Sequence, residues 1–359
     1  MAAVFGIPRH ARRLAVTAYA VLVTAIGFDL SSGPHWTASP VLAAAPVLAG
    51  VGTRRARIPL TVGLAALVLV ALLGAHDRSV PLLDHLTSGF AVLATTCISA
   101  ANVVLVATRE RELVRSRSVA EAAQLALLRP VPERVGGLRV AVRYLAAAAD
   151  ARVGGDLYEV LETPCGIRLI IGDVRGKGLS AVETAADVLG SFREAAQVEA
   201  DLGTVARRLD AAVRQRGGGE EFVTAALLGI AQTEAPVELV NCGHPPPLRK
   251  RGEEVTPLRT QSSDSAPPLA LRYLADGPYD IERFAFGKDD LLVLYTDGVT
   301  EARNANGDFY PLESRLSRMP ESSPDALADH LVADLLAHAG GTLQDDAALL
   351  VIRRQHRNR

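Results

Sequence analysis

Cysteine is scarce in this 359-residue chain, and its three cysteines, Cys97, Cys165 and Cys242, are scattered. They provide no disulfide framework, which fits a reducing compartment. None of the three is followed by arginine six positions later, so the Cys-x5-Arg loop of cysteine-based phosphatases is absent. A Walker lysine motif is absent too, and no Cys or His pairs accompany the acidic motifs as zinc ligands would. These absences exclude thiol-based phosphate chemistry and P-loop nucleotide hydrolysis.

Apolar residues are abundant by contrast. They make up 49% of the chain, and the excess lies in its first third. We predict four membrane spans there, at residues 14–28, 38–52, 58–74 and 86–107. The second and third are near or below the roughly 17–25 residues that a spanning helix needs. The alternative is a buried helical core of a soluble domain, against which the charge pattern argues.

The segments that flank these spans alternate between arginine-rich and arginine-poor. Arginine lies before the first, between the second and third, and after the fourth: Arg9, Arg12, Arg13, Arg54, Arg55, Arg57, Arg109, Arg111, Arg115 and Arg117. The other two segments carry Trp36, placed like an interfacial anchor, and a single arginine. The positive-inside rule then predicts a multi-pass cell-membrane protein in contact with lipid, whose termini and catalytic domain are cytoplasmic.

Residues 108–130 form a linker that contains no glycine, and no proline before Pro130. The pattern predicts a helix that continues out of the fourth span, with an apolar stripe of Val114, Ala122, Leu125 and Leu128. Two interpretations remain open. The helix is either a signalling stalk that also forms a homodimer seam, or a solvated linker.

Residues 131–355 change to strands interrupted by helices. Strands are predicted at residues 138–145, 166–173, 222–231, 236–241, 279–286, 290–295 and 347–353, and helices at 179–200, 202–215 and 324–339. Consecutive strands with helices grouped between them predict antiparallel sheets covered by helices, an α+β fold rather than a doubly wound parallel sheet.

Short acidic turns follow or precede these strands. They are Gly154-Gly155-Asp156, Gly172-Asp173-Val174, Thr296-Asp297-Gly298 and Asp345-Asp346. A single Asp beside Gly is usually an ordinary turn residue. A folded sheet, however, brings strand ends together, and clustered carboxylates need a cation. Hard oxygen donors favour Mg²⁺ or Mn²⁺ over zinc.

Six segments, in order and spacing, resemble one family. They are Val153-Gly-Gly-Asp-Leu-Tyr158, Gly172-Asp-Val-Arg-Gly-Lys-Gly178, Phe222-Val-Thr224, Asn241-Cys-Gly-His-Pro-Pro-Pro247, Leu294-Tyr-Thr-Asp-Gly-Val-Thr-Glu301 and Asp345-Asp346. The chain resembles the PPM family of metal-dependent Ser/Thr phosphatases, in its bacterial SpoIIE-like branch. The resemblance implies an α-β-β-α sandwich of two antiparallel sheets flanked by helices, here preceded by a four-helix transmembrane region.

Carried over by motif, the resemblance implies a two-metal centre at one edge of the sandwich. Asp156 would hold the first ion, Asp173 would bridge both, and the backbone carbonyl of Val174 would be a further ligand. Asp297 and Asp345 would bind the second ion. Two Mn²⁺ or Mg²⁺ ions lower the pKa of a bridging water for in-line attack on phosphorus, so these aspartates would act through metal-bound water.

The sequence gives weaker evidence for the roles of the other polar residues. His244 is a proton donor to the leaving oxygen or, as we favour, a structural loop histidine. Glu301 closes the rim of the site or caps a local turn, and Asp346 supports the ligands. Arg143 and Arg175 are candidate phosphate contacts on charge grounds alone.

Three places depart from the family pattern, one of them the segment 145–149, which replaces the usual Arg-Pro-Ala before the first aspartate. Ala348 stands where the family commonly has Thr, which predicts a missing hydrogen bond and weaker affinity at the second metal site. Ala270 stands where Gly is typical. None of these changes removes a predicted ligand.

The sequence therefore predicts a membrane-anchored phosphoserine/phosphothreonine protein phosphatase. Its expected partner is a phosphorylated protein and not a nucleic acid, and relatives suggest a STAS-type anti-sigma-factor antagonist. The alternative is a membrane receptor whose phosphatase-like domain only binds a partner protein. A sensor histidine kinase is disfavoured, because no cytoplasmic His heads a phosphoacceptor helix.

Overall fold

The chain divides into two compact units, Met1–Arg115 and Ser116–Arg359. The computed structural model describes residues 17, 19–25, 27–28, 31, 39–76, 81–147, 154–216, 221–231, 236–259, 266–274, 279–320 and 323–355, without the side chains of 116 and 117.

The first unit is helical. A 3₁₀ turn, Ser39–Ala43, leads into helix α1 (Ala44–Gly50), which is followed by α2 (Arg57–His76) and α3 (Leu82–Leu127). The division between the units falls within α3, after Arg115. Within the described residues, α2 and α3 are long and apolar enough to cross a membrane. They contain the predicted spans 58–74 and 86–107, whereas 38–52 forms only a short apolar helix. The predicted span 14–28 lies only in part within the described residues, and those described there are helical. Two candidates are thus found where four spans were predicted.

Small and polar residues of α3 face the neighbouring helices. The Ser99 hydroxyl donates to the carbonyl of Pro46 at 2.9 Å. A Cβ on Gly63 would lie 2.1 Å from Thr96 Oγ1, so the glycine permits a close helix crossing. The exposed face of α2 is apolar instead. It carries large side chains at four-residue spacing: Leu60, Leu64, Val68 and Leu72.

The second unit contains two antiparallel sheets. The first has the order β1-β2-β11-β10-β7-β8, formed by Arg134–Val135, Leu138–Leu145, Ala347–Arg354, Leu291–Tyr295, Leu248–Arg251 and Glu254–Pro257. The second has the order β3-β4-β5-β6-β9, formed by Leu157–Thr163, Gly166–Val174, Val223–Ile230, Val237–Cys242 and Glu282–Phe284. The helices are α4 (Leu179–Val198), α5 (Leu202–Gln215), α6 (Asp297–Thr300), α7 (Leu312–Arg318) and α8 (Pro324–His338).

Side-chain alternation along the strands builds two cores. On β10, Leu292 and Leu294 join the core that includes residues of the second sheet, α4 and α5. Their neighbours Leu291, Val293 and Tyr295 point the other way and pack with α7 and α8. This alternation produces helix, sheet, sheet and helix layers, which confirms the predicted sandwich of two antiparallel sheets with flanking helices.

Helix ends follow from local sequence. The Asp201 carboxylate accepts the Thr204 amide at 2.7 Å and so caps α5. Ser323 caps α8 in the same way, and Pro324 follows at its first position. Leu128, predicted to join the apolar stripe of the linker, instead packs in the core of the second unit, whereas Leu125 is exposed.

Candidate metal site

Strand pairing brings the four predicted aspartates to one edge of the sandwich. In the second sheet Leu157 pairs with Gly172, so Asp156 and Asp173 are neighbours at the end of that pair. In the first sheet Tyr295 pairs with Leu349, and the Thr296 amide donates to the Ala348 carbonyl at 3.0 Å. Asp297 and Asp345 therefore leave the paired strands at the same end.

These carboxylates are close enough to disfavour one another's ionisation. Burial raises the pKa of Asp156 well above its ordinary value, and the neighbouring Asp173 raises it further. Burial, with Asp297 and Asp345 beside it, raises the pKa of Asp173 to about 7. Burial and then Glu301 and Asp345 raise the pKa of Asp297. Each shift means that negative charge is costly here and that a cation would relieve the cost.

Two glycines permit the close backbone approaches of the site. A Cβ at Gly298 would lie 1.8 Å from the carbonyl oxygen of Asp346, where no side chain fits. A Cβ at Gly155 would lie 2.6 Å from the carbonyl oxygen of Val174, the predicted backbone ligand. The second contact places that carbonyl beside the turn that carries Asp156.

Lys177, within the segment 172–178, provides a positive charge beside the predicted ligands. Its Nζ lies 2.6 Å from Asp345 Oδ2. The other oxygen of that carboxylate accepts the Asp346 amide at 3.0 Å. Asp345 is therefore oriented by an ammonium and a neighbouring amide. Because 168 residues separate the two charged partners, local patterns gave no signal for the pair.

Thr296 joins the two sheets at the centre of the site. Its side chain is fully buried. The hydroxyl donates to Asp156 Oδ2 at 2.8 Å and accepts from the Ala348 amide at 2.9 Å. The sequence analysis missed this role, although the position of Thr296 beside Asp297 was a signal.

Asp346 holds the chain that leads to the first aspartate. Its carboxylate accepts from the Tyr144 hydroxyl at 2.8 Å, from the Ala147 amide at 2.7 Å and from the Gly154 amide at 2.8 Å. Burial, together with Asp346, raises the pKa of Tyr144, so the phenol remains a donor. These contacts agree with the expectation that Asp346 supports the ligands.

Helix α3 also reaches this site. Gln124 near its end is buried, and its Nε2 donates to the backbone carbonyl of Asp156 at 3.3 Å. The burial of Gln124 is not visible in the sequence, and 32 residues separate it from Asp156, so the linker pattern gave no signal for this contact.

The two candidate phosphate contacts, Arg143 and Arg175, pair with groups outside the carboxylate cluster. Arg143 pairs with Asp329 of α8 at 2.7 Å, and Arg175 lies over the Phe222 ring at 5.1 Å. Glu301 is exposed. Ala348 is fully buried, and both its amide and its carbonyl pair with Thr296. The absence of the threonine hydroxyl that the family commonly has at this position therefore leaves neither backbone group without a partner.

The donor chemistry fits a hard divalent cation. The candidate ligands are all carboxylate or carbonyl oxygens, as Mg²⁺ and Mn²⁺ prefer. In the described part of the chain, however, no group of three or more His, Cys, Asp or Glu side chains is arranged so that it could hold an ion as it stands. Lys177 and Thr296 occupy oxygens of Asp345 and Asp156 instead.

The two sheets with their flanking helices form a PP2C-like fold. The fold is similar to that of the SiaA PP2C domain of Pseudomonas aeruginosa, with a TM-score of 0.58 and 18% identity over 70% of this chain and 100% of that one. Stage II sporulation protein E of Priestia megaterium is 24% identical over 59% of this chain and 35% of its own length. The phosphoserine phosphatase RsbU of Bacillus subtilis is 25% identical over 57% of this chain and 60% of its own.

The family model described as Stage II sporulation protein E (SpoIIE) matches residues 164–355, slightly more than half of the chain. The chain therefore belongs to the SpoIIE family. This confirms the predicted SpoIIE-like branch and the predicted class, a protein serine/threonine phosphatase domain. The chain spans less than two thirds of the length of either curated relative.

Proposed function

We propose that this protein is a metal-dependent phosphoserine/phosphothreonine protein phosphatase. The observation that carries the proposal is the convergence of four aspartates, two from each sheet, at one edge of the sandwich. Their mutual repulsion is a cost to the fold that makes sense if a cation binds there. The family membership and the name of the relative RsbU support the same activity.

Two Mg²⁺ or Mn²⁺ ions would be held by Asp156, Asp173, Asp297, Asp345 and the carbonyl of Val174. When bound, such ions neutralise phosphate oxygens and activate the attacking water. The residues around them position the ligands. Thr296 fixes one oxygen of Asp156, and the Asp346 carboxylate fixes the Gly154 amide two residues before it.

The test is dephosphorylation by the full chain in detergent micelles, with Mn²⁺ or Mg²⁺ and with EDTA. Asp173→Asn removes the predicted bridging carboxylate and is expected to abolish metal-dependent hydrolysis while the protein stays folded. Asp289→Asn, which changes an exposed carboxylate outside the site, is the matched control and retains activity. Wild-type turnover by Asp173→Asn would refute the metal assignment.

We also propose that the first unit anchors the protein in the cell membrane by several spans. Helices α2 and α3 supply two candidates, and α2 exposes its apolar side chains while small and polar residues lie between the helices. The arginine pattern supports a cytoplasmic phosphatase domain. Reporter fusions after Arg57 and after Arg117 should then read cytoplasmic, and fusions near His35 and Asp84 external. An external signal after Arg117 would contradict this topology.

As substrate we propose a phosphorylated STAS-type protein, on the strength of the resemblance to the SpoIIE-like branch. The assay compares phosphoserine on a STAS protein with phosphopeptides of unrelated sequence. Equal turnover of both would remove the STAS preference and leave the phosphatase activity in place.

For the linker we propose a homodimer seam, because Leu113, Val114, Val119 and Leu125 of α3 are exposed.

A second candidate function is a receptor whose phosphatase-like domain only binds a partner. The contact of Lys177 with Asp345 favours it, because an ammonium group on a predicted ligand opposes metal binding. The two functions differ in one measurement. A receptor of this kind would bind its phosphoprotein without hydrolysis at any Mn²⁺ concentration.

A further inference from the structure

His244 lies in the loop that carries the chain from one sheet to the other. The loop leaves the second sheet after Cys242, the end of β6, and enters the first at Leu248, the start of β7. The Asn241 side chain holds it by two hydrogen bonds. Asn241 Oδ1 accepts the His244 amide at 2.8 Å, and Asn241 Nδ2 donates to the His244 carbonyl at 2.9 Å. The histidine is thereby fixed at the junction of the sheets.

Both ring nitrogens of His244 contact groups that neighbour the candidate metal site. Nε2 lies 3.1 Å from the carbonyl oxygen of Tyr295, the last residue of β10. Nδ1 lies 3.2 Å from the hydroxyl oxygen of Thr224 on β5. The imidazole thus connects a strand of the first sheet with a strand of the second.

The chemistry of the partners fixes the direction of both hydrogen bonds. A carbonyl only accepts, so Nε2 carries the proton and donates to Tyr295. Burial lowers the pKa of His244 to about 4, so the ring is neutral and Nδ1 accepts. The Thr224 hydroxyl then donates to Nδ1, which is closer to it than its other acceptor, the Asp173 carbonyl at 3.4 Å. Every polar atom of the ring is used within the fold, which leaves none to protonate a leaving group.

Each partner of His244 is close in the chain or in the sheet to a predicted ligand. Thr224 is the registered partner of Asp173 across the β4–β5 pair. Tyr295 is followed by Thr296, which orients Asp156, and then by Asp297. A change in the distance between Thr224 and Tyr295 would therefore change the separation of Asp173 and Asp297.

We propose that His244 is a positioning residue that sets the spacing between Asp173 and Asp297 through the Thr224 hydroxyl and the Tyr295 carbonyl. The proposal rests on the metal site of the proposed function. It replaces the proton-donor interpretation of His244 with a role that needs the neutral ring and both of its hydrogen bonds. Metal affinity, more than protein stability, should respond when the connection is broken.

The experiment compares Thr224→Val and Thr224→Ser in the full chain in micelles. Valine keeps the shape of threonine without its hydroxyl, whereas serine keeps the hydroxyl. Calorimetric titration of the EDTA-stripped protein with Mn²⁺ measures affinity without reference to activity. Thr224→Val is expected to weaken Mn²⁺ binding about tenfold, as loss of an outer partner of metal ligands typically does, and Thr224→Ser to bind within about twofold of wild type.

Two further measurements separate positioning from simple packing. Nitrogen-15 spectra of the metal-free protein should show the neutral tautomer of His244 protonated at Nε2. A Thr224→Val, His244→Gln double variant should bind Mn²⁺ no more weakly than His244→Gln alone, because both changes break one connection.

Each outcome decides the inference. Equal Mn²⁺ affinity of the Val and Ser variants, or a lowered melting temperature of Thr224→Val with unchanged affinity, would overturn the positioning role and leave the proposed function standing. Failure of the wild type to bind Mn²⁺ at all would instead overturn the proposed function, and the positioning role with it.

Discussion

Thr296→Val should destabilise the second unit more than any comparable loss of a surface hydroxyl. The threonine is fully buried, and its hydroxyl makes two hydrogen bonds, to Asp156 Oδ2 and from the Ala348 amide. Valine preserves the shape and removes both. Asp156 is only 2% exposed, so water cannot replace the lost donor.

The magnitude follows from these two groups. Because the pKa of Asp156 is raised, we count its bond from Thr296 as an ordinary hydrogen bond, which contributes about 0.5–1.5 kcal/mol, and a buried amide left without a partner costs about 1–3 kcal/mol. The free energy of unfolding should therefore fall by roughly 1.5–4.5 kcal/mol. At about 2–4 °C per kcal/mol for a domain of this size, the melting temperature falls by roughly 3–18 °C.

The assay is calorimetric unfolding of the full chain in micelles with EDTA, so that metal affinity does not enter. Thr296→Ser is the matched control, because it keeps the hydroxyl and loses one methyl group, a cost of about 1 kcal/mol. If Thr296→Val were no less stable than Thr296→Ser, the hydroxyl would not connect Asp156 to Ala348, and this account of the site would be wrong.

Three other variants test separate parts of the structure. Desolvation opposes ionisation of Asp290, but hydrogen bonds from Arg251 and a backbone amide outweigh it and hold the pKa of Asp290 below the ordinary 3.8. Wild-type stability should therefore fall as the pH drops below about 4. Asp290→Asn should lose this acid dependence in thermal unfolding. Lys177→Gln removes a cation from Asp345 and should tighten Mn²⁺ binding up to about fivefold in calorimetry; looser binding would indicate that Lys177 aids the site. Gln124→Leu leaves the Asp156 carbonyl without its donor and should cost about 1–3 kcal/mol in thermal unfolding, whereas an unchanged melting temperature would show the contact to be weak.

The strands that the sequence predicted best are those with clear apolar patterns. Residues 138–145 and the helix at 202–215 have the predicted bounds. The strand Leu157–Thr163 was missed because Glu159 and Glu162 interrupt its pattern. Glu159 is nevertheless buried, since Arg193 donates to it at 2.7 Å from a distant helix. Long-range pairing therefore hid the strand from a local analysis.

The hairpin of β7 and β8 was missed for a similar reason. Its first strand, Leu248–Arg251, carries three basic residues in succession, which is typical of a solvated loop. Lys250 is fully buried all the same, because its ammonium group donates to the carbonyl of Gly252. A basic side chain that finds its acceptor in the adjoining turn cannot be distinguished in sequence from one that faces water.

One departure from the family pattern has a visible conformational consequence. Ala270 has a φ of 74°, the only positive value of a residue other than glycine in the described ranges. The Asp210 carboxylate accepts its amide at 2.9 Å, and the preceding Leu269 pairs with Val223. These contacts hold alanine in a region that normally favours glycine. The sequence predicted the unusual residue, and only the fold shows what keeps it there.

The aspartates of the site could be predicted from the sequence because each belongs to a short motif, but the groups that stabilise them could not. Four carboxylates meet one ammonium group, that of Lys177, among the contacts described here. A fold that gathers these charges loses stability unless more positive charge arrives. Ligands that bind only the folded state stabilise it by mass action, so divalent cations should raise the melting temperature in proportion to the logarithm of their concentration. The arrangement that destabilises the metal-free protein is thus the one that would give the proposed metal site its affinity.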